Sequence, residues 1–253
     1  MPFYKDFFYK IYENKNADKR LIFLHGWGLN HLSLELIASY FKGKYEVILI
    51  DQYGCGRSNQ PKISMDSNQY AELYYNFLAR LDKKQNIFVG HSYGARIIIQ
   101  ISSKYPDFIN KAVYIAGAGL KRKRSFIFKI KSRILKFIGI SAEIADFICK
   151  TNLKSKFANK FGSSDYRSAK GLMREILVKA VNEDLSSKLD LIKCPTLLIY
   201  GAQDNVTPLS FGEKFAKSIR NSNLVIIENA DHNSIISNAY PQLQNLIENF
   251  IEN

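Results

Sequence analysis

A serine between two glycines is the first place where chemistry could happen. Gly90-His91-Ser92-Tyr93-Gly94 follows the apolar run Ile87–Val89 and precedes a helical pattern that begins Ala95-Arg96-Ile97. Gly-x-Ser-x-Gly between strand and helix makes a sharp, strained turn that lifts the serine hydroxyl above a sheet. Glycine on both sides lets strand and helix approach where any Cβ would obstruct them. The helix start brings positive potential to the place where a negative oxygen would develop. His25-Gly26-Trp27-Gly28 follows an earlier apolar run, Leu21–Leu24. Its Gly-flanked backbone can aim the Trp27 N–H at the same point as the Tyr93 N–H, and two such donors form an oxyanion hole. The Trp27 ring reads equally well as pocket lining.

A serine nucleophile needs a general base, and the usual one is histidine. The candidates are His25, His31, His91 and His232. His91 adjoins the serine and should point away from it. His25 belongs to the glycine-flanked turn and is read as shaping that loop. His31 opens a helix and is expected at the surface. His232 remains, in Asn229-Ala230-Asp231-His232-Asn233 after the last apolar run. The third member must be a carboxylate that orients the imidazole and stabilises its charged form. Asp204 follows the run Thr196–Tyr200, whereas the loop Gly117-Ala118-Gly119 offers no acid. Asp231 adjoins His232 and would meet it at an awkward angle. The candidate triad is therefore Ser92, Asp204 and His232.

These groups must be held by elements that alternate. Strand-length runs occur at Leu21–Leu24, Val47–Ile50, Ile87–Val89, Ala112–Ala116, Thr196–Tyr200 and Leu224–Ile227. Each is short, rich in β-branched residues and bounded by turn formers, as for strands buried on both faces. Helical patterns fill the intervals at Leu32–Phe41, Met65–Leu81, Gly94–Lys104, Ser210–Ile219 and Leu243–Ile251. The alternation implies a mostly parallel central sheet with helices on both faces. Phe7–Tyr12 alternates enough to be an additional antiparallel edge strand. From Leu120 to Leu191 there is no convincing strand, so residues 120–191 are read as an inserted helical lid on a core of 1–119 and 192–253.

Composition narrows the class. The chain has 253 residues, 46% hydrophobic and 13% aromatic, enough for a real core. Its three cysteines exclude a fully paired disulfide framework and suggest a reducing compartment. The start lacks the basic-then-apolar design of a signal peptide, and no apolar run approaches the ~18 residues of a membrane span. A cytoplasmic location is expected. There is no His-Glu-x-x-His, Cys-x-x-Cys or phosphate-binding loop, so neither a metal nor a nucleotide cofactor is expected. The net charge of +13 invites a nucleic-acid reading. Residues 120–160, however, carry twelve Lys and Arg against Glu143 and Asp146, a local net of +10. On a helical projection of Phe126–Ile138, Lys129, Arg133 and Lys136 cluster opposite the apolar residues. The segment reads as a lid helix with solvated lysines, or as a surface that docks an anionic membrane or acidic protein. No nucleic-acid reader motif accompanies it.

Taken together, the motifs resemble the α/β-hydrolase superfamily over nearly the whole chain. Asp51-Gln52-Tyr53-Gly54-Cys55-Gly56-Arg57-Ser58 resembles its Asp-x-x-Gly-x-Gly-x-Ser turn. Pro195-Thr196-Leu197-Leu198-Ile199-Tyr200-Gly201 resembles its approach to the acid. The resemblance implies an α/β-hydrolase fold with an inserted lid, and a serine hydrolase acting on carboxylic esters through an acyl-enzyme. One departure is Asp231, where many members carry glycine before the base. Hydrolysis of a carbon–carbon bond in a dienoic acid on the same triad stays open, as does a non-catalytic binding protein of the same fold. His25-Gly26-Trp27-Gly28-Leu29-Asn30 resembles methyl esterases that act on a pimeloyl group borne by acyl carrier protein. Such carriers are acidic, which would give Arg122, Lys123, Arg124 and Lys129 a docking role.

Overall fold

The apolar runs pair into one sheet in the computed structural model, which describes residues 3–4, 6–121 and 164–253. Its strands are β1 (Phe3–Tyr4), β2 (Phe7–Tyr12), β3 (Lys19–Leu24), β4 (Glu46–Ile50), β5 (Gln85–His91), β6 (Lys111–Ile115), β7 (Thr196–Gly201) and β8 (Ser222–Ile227). Their spatial order is β1-β2-β4-β3-β5-β6-β7-β8. β3 through β8 are mutually parallel, while β2 runs antiparallel to β4 and β1 antiparallel to β2. The antiparallel strand Phe7–Tyr12 therefore forms as expected, but the edge beyond it belongs to the two-residue β1. At the other edge β8 keeps only Ile227 buried, since no strand among the described residues pairs with its outer side.

Between the strands lie α1 (Leu32–Ser39), α2 (Ser67–Leu78), α3 (Tyr93–Lys104), α4 (Ser164–Ser168), α5 (Gly171–Asn182), a 3-10 helix (Ser186–Leu191), α6 (Leu209–Ser218), α7 (Ser234–Ser237) and α8 (Tyr240–Glu252). Period-2 alternation divides each buried strand between two layers. Leu21, Phe23, Val47, Leu49, Ile87, Val89, Val113, Ile115, Leu197 and Ile199 share one core with Leu34 and Ile37 of α1 and Leu243, Ile247 and Ile251 of α8. The alternate residues face the other layer, where Tyr114 of β6 meets Phe215 of α6 edge-on at 5.9 Å. Each such side chain contributes about 1.5–3 kcal/mol on burial. Local chemistry sets where helices begin. Asp66 accepts from Gln69 N–H at 2.9 Å and its own N–H donates to Gln69 Oε1 at 3.0 Å, a capping box that starts α2 at Ser67.

Contacts divide the chain into two compact units, Met1–Leu120 with Glu183–Asn253, and Lys121–Asn182. The return to the sheet-bearing unit comes earlier than residue 192. Glu183–Leu191 belongs with the sheet because the 3-10 helix lies on α3 and α6, and Leu185 N–H donates to Gly119 O at 2.8 Å. In the second unit, Arg174 Nε donates to Ala169 O at 2.8 Å, and its guanidinium stands 4.8 Å over the Tyr166 ring. Among the described residues, no helix is long and apolar enough to cross a membrane.

Candidate active site

Ser92 sits between β5 and α3 with φ 49° and ψ −108°, the left-handed half of the map that a non-glycine residue rarely visits. Such a conformation costs about 1–3 kcal/mol and persists only where neighbours fix it. Three hydrogen bonds do so: Ser92 N–H donates to Ile115 O at 3.0 Å, and Ser92 O accepts from Ala95 and Ala118 N–H at 3.1 Å. The flanking glycines are required by space. A Cβ on Gly94 would lie 2.1 Å from Leu24 O, and one on Gly90 would lie 2.8 Å from Ala95 N.

His232 enters on the loop after β8. Its Nδ1 lies 2.7 Å from Asp204 Oδ2 and its Nε2 lies 2.9 Å from Ser92 Oγ. A carboxylate can only accept, so Nδ1 carries the proton and Nε2 presents its lone pair to the serine hydroxyl. The Asp204 side chain is fully buried and that of His232 is 14% exposed. Asp204 Oδ1 accepts from Val206 N–H at 2.7 Å and Thr207 N–H at 2.9 Å, and Thr207 Oγ1 lies 2.9 Å from Oδ2. Burial would raise this carboxyl, but the bonds from His232 and Thr207 outweigh it and hold Asp204 below the usual carboxylate range.

Asp231 turns to another task. Its carboxylate accepts from Asn233 N–H at 3.0 Å and Ser234 N–H at 2.8 Å, while its own N–H donates to Ser234 Oγ at 2.8 Å. These bonds hold Asp231 below the usual carboxylate range. They shape the loop without a positive φ, so a residue other than glycine is accommodated there.

The other histidines divide in a way the sequence only partly anticipates. His25 Nδ1–H donates to Gly26 O at 2.7 Å and Nε2 accepts from Gln52 N–H at 3.0 Å, tying the β3–α1 turn to the β4 end. Burial pushes it down to about 4, a neutral structural imidazole. His91 points away from the serine and its Nε2 lies 3.0 Å from His232 O. His31 is not at the surface. It is 8% exposed, lies with its ring tilted against that of Phe8, and bonds Asp51 Oδ1 through its N–H at 2.6 Å and Nδ1 at 2.9 Å. Asp51, with no exposure, also accepts from Arg57 N–H at 2.8 Å. The Asp-x-x-Gly-x-Gly-x-Ser turn is thus built around a buried carboxylate.

Trp27 is half-buried, and its ring meets the Tyr93 ring edge-on at 5.4 Å. The turn after β3 and the start of α3 therefore stand side by side, next to Ser92. Thr207 was not singled out in the sequence, although Asp-x-x-Thr is the spacing of a side chain that accepts from backbone N–H groups further along. A second unanticipated group surrounds Glu183: Ser67 Oγ at 2.7 Å, Gln100 Nε2 at 3.3 Å and Arg96 at 3.3 Å. Arg122, Lys123, Arg124 and Lys129 lie outside the described residues. Among the described residues, no group of three or more His, Cys, Asp or Glu is placed to hold a metal ion.

Comparison with known proteins agrees with the fold. A family model described as alpha/beta hydrolase fold matches residues 19–137, and one described as TAP-like protein matches residues 176–253. The proline iminopeptidase of Saccharolobus solfataricus is 26% identical, over 89% of this chain and 82% of its own. A lipase-esterase related protein from Clostridium acetobutylicum superposes with a TM-score of 0.72 at 22% identity, covering 97% of this chain and 99% of its own. A bromoperoxidase from Bacillus anthracis superposes with a TM-score of 0.73 at 20% identity, covering 98% and 95%.

Proposed function

The chain belongs to the α/β-hydrolase superfamily, and on that premise we propose that it is a serine hydrolase of carboxylic esters working through an acyl-enzyme. The observation that carries the reading is the relay from Ser92 Oγ to His232 Nε2 at 2.9 Å and from His232 Nδ1 to Asp204 Oδ2 at 2.7 Å. Ser92 Oγ attacks the ester carbonyl while His232 Nε2 takes its proton. Asp204 holds the resulting imidazolium in register. The tetrahedral oxyanion is met by the N–H groups of Trp27 and Tyr93, where one such donor is worth about 3–4 kcal/mol. His232 then gives its proton to the departing alcohol, leaving an acyl group on Ser92. Water attacks that acyl carbonyl, His232 accepts its proton, and the proton returns to Ser92 as the acid leaves.

A fluorophosphonate probe tests the nucleophile. Labelling of the protein and not of its Ser92→Ala variant is expected; labelling independent of Ser92, or none, overturns the proposal and favours a binding protein of this fold. A panel of p-nitrophenyl esters of rising chain length, beside proline p-nitroanilide and a dienoic ketone acid, assigns the bond. Faster turnover of the amide or of the carbon–carbon bond than of every ester would move the reading away from esterase.

The charge of residues 120–160 favours one refinement, an acyl substrate delivered by an acidic carrier protein. Alanine at Arg122, Lys123, Arg124 and Lys129 should then raise KM for a carrier-linked ester while leaving a free p-nitrophenyl ester unaffected. If both substrates turn over as before, the basic segment has no docking role; if anionic vesicles rather than carrier compete with turnover, the partner is a membrane surface.

A further inference from the structure

His91 has no part in the proton relay, yet it is tied to it. It ends β5, precedes Ser92 in the chain and is 1% exposed. A carbonyl can only accept, so the 3.0 Å contact between His91 Nε2 and His232 O fixes the proton of His91 on Nε2. Nδ1 is buried and meets no hydrogen-bonding partner among the described residues. It lies against the backbone of Gly26, where a Cβ would approach it to 2.7 Å. The ring is thus wedged between the Gly26 turn and the His232 loop, with the two imidazole centroids 5.0 Å apart.

We infer that His91 is a positioning residue for the base: it clamps the His232 main chain to the strand that carries Ser92. This rests on the serine-hydrolase reading above. The physical need is specific. Ser92 is fixed by β5, β6 and α3, whereas His232 stands on a loop at the far side of β8, 140 residues away in sequence. Without a cross-link, the loop could shift as His232 turns between Ser92 and the leaving group. Anchoring its carbonyl to the residue before the nucleophile makes serine and base move as one body. Burial pushes His91 down to about 3, with the nearby His232 adding to the effect, so the clamp stays a neutral donor. It therefore adds no like charge beside His232 when that ring becomes an imidazolium.

The test pairs His91→Met with His91→Gln. The two side chains match in length and volume, and only Gln keeps a donor near the place of Nε2. His91→Met should lower kcat for a p-nitrophenyl ester, and the rate of fluorophosphonate labelling, by about 10- to 100-fold, the scale of a base displaced by a fraction of an ångström to an ångström. KM should stay within about twofold of wild type, because the ester makes no contact with His91 in this reading. His91→Gln should recover most of the loss. Thermal unfolding of both variants separates misfolding from misplacement. Equal kcat in wild type and folded His91→Met overturns the clamp, as does equal loss in the folded Met and Gln variants. Wild-type protein that the probe fails to label at Ser92 overturns the hydrolase reading first, and the clamp with it.

Discussion

Thr207 grips Asp204 twice: its N–H donates to Oδ1 at 2.9 Å and its hydroxyl lies 2.9 Å from Oδ2. The same hydroxyl is 2.9 Å from Ala116 O, at a residue with φ 47° just past β6. Thr207 thus joins the acid's loop to the strand beside β5, and keeps the carboxylate plane aimed at His232. Thr207→Val preserves shape and the backbone bond but removes the hydroxyl. The expected result is a fall in kcat of roughly tenfold with little change in KM, since the acid is misaligned and no substrate contact is lost. Stability should drop by about 1–3 kcal/mol, because the one hydroxyl proton that Asp204 Oδ2 and Ala116 O share is lost to both buried acceptors. Steady-state kinetics and urea unfolding read the two effects separately.

Two aspartates flank the base, and only one bonds its ring. Asp204→Asn turns an acceptor-only group into one that can donate to Nδ1, stabilising the tautomer in which Nε2 carries the proton and cannot accept from Ser92. A loss in kcat on the order of 10⁴-fold is expected. Asp231→Asn keeps a side-chain oxygen for the Asn233 and Ser234 N–H groups, so activity should fall no more than a few-fold. Asp231→Ala removes the side-chain acceptor for the Asn233 and Ser234 N–H groups and should lower the urea midpoint slightly. Comparable losses of activity in Asp204→Asn and Asp231→Asn would mean that the acid has been misassigned.

What the sequence disclosed follows from the range over which each feature is determined. Ser92 and its glycines are legible because a strained turn has a five-residue signature, and Asp204 and His232 because each follows a strand-length apolar run. His31 is buried although helix-opening residues are usually exposed, because its partner Asp51 is twenty residues away, just past the end of β4. The bond from His91 to His232 O spans 141 residues and depends on how two loops meet over the sheet, which no local pattern encodes. The limit at Glu183 is of the same kind. Val181–Leu185 looks like the rest of the helical insertion, yet Glu183 faces Arg96 and Ser67, which come from α3 and the start of α2.

That Glu183 site should matter to stability more than to chemistry. Arg96 has a side chain only 7% exposed, and Glu183 is at 3.3 Å with 20% exposure. Burial lowers the Arg96 pKa, opposed by the neighbouring carboxylate. Glu183→Ala takes a carboxylate from a largely buried guanidinium, leaving Asp184 and the main-chain oxygen of residue 183 as its partners, and the expected cost is about 1–3 kcal/mol. Arg96→Met with Glu183→Leu removes both charges and should recover much of the loss, since apolar replacement of a buried pair is often neutral. Urea unfolding of the single and double variants gives the coupling; additive losses would show that the pair is not a unit.

The two neutral histidines make stability depend on pH in a predictable direction. His25 and His91 are held at about 4 and about 3, against an ordinary value of 6.5. Below pH 6.5 the unfolded chain takes up a proton at each site that the folded chain refuses, so stability falls as pH falls. Each histidine contributes a slope of about 1.4 kcal/mol per pH unit between roughly pH 6 and 5. Asp204 acts in a lower window. Its folded carboxyl lies below 3.8, so its contribution is whole above that pH and is lost only as pH drops through the folded value. Urea midpoints measured from pH 7 to 5 should therefore decline with a slope near two protons from this pair. His91→Gln removes one titrating site, so its decline should be shallower by about one proton. An unchanged slope in that variant would mean that His91 takes up a proton in the folded protein, contrary to its burial against Gly26 and His232.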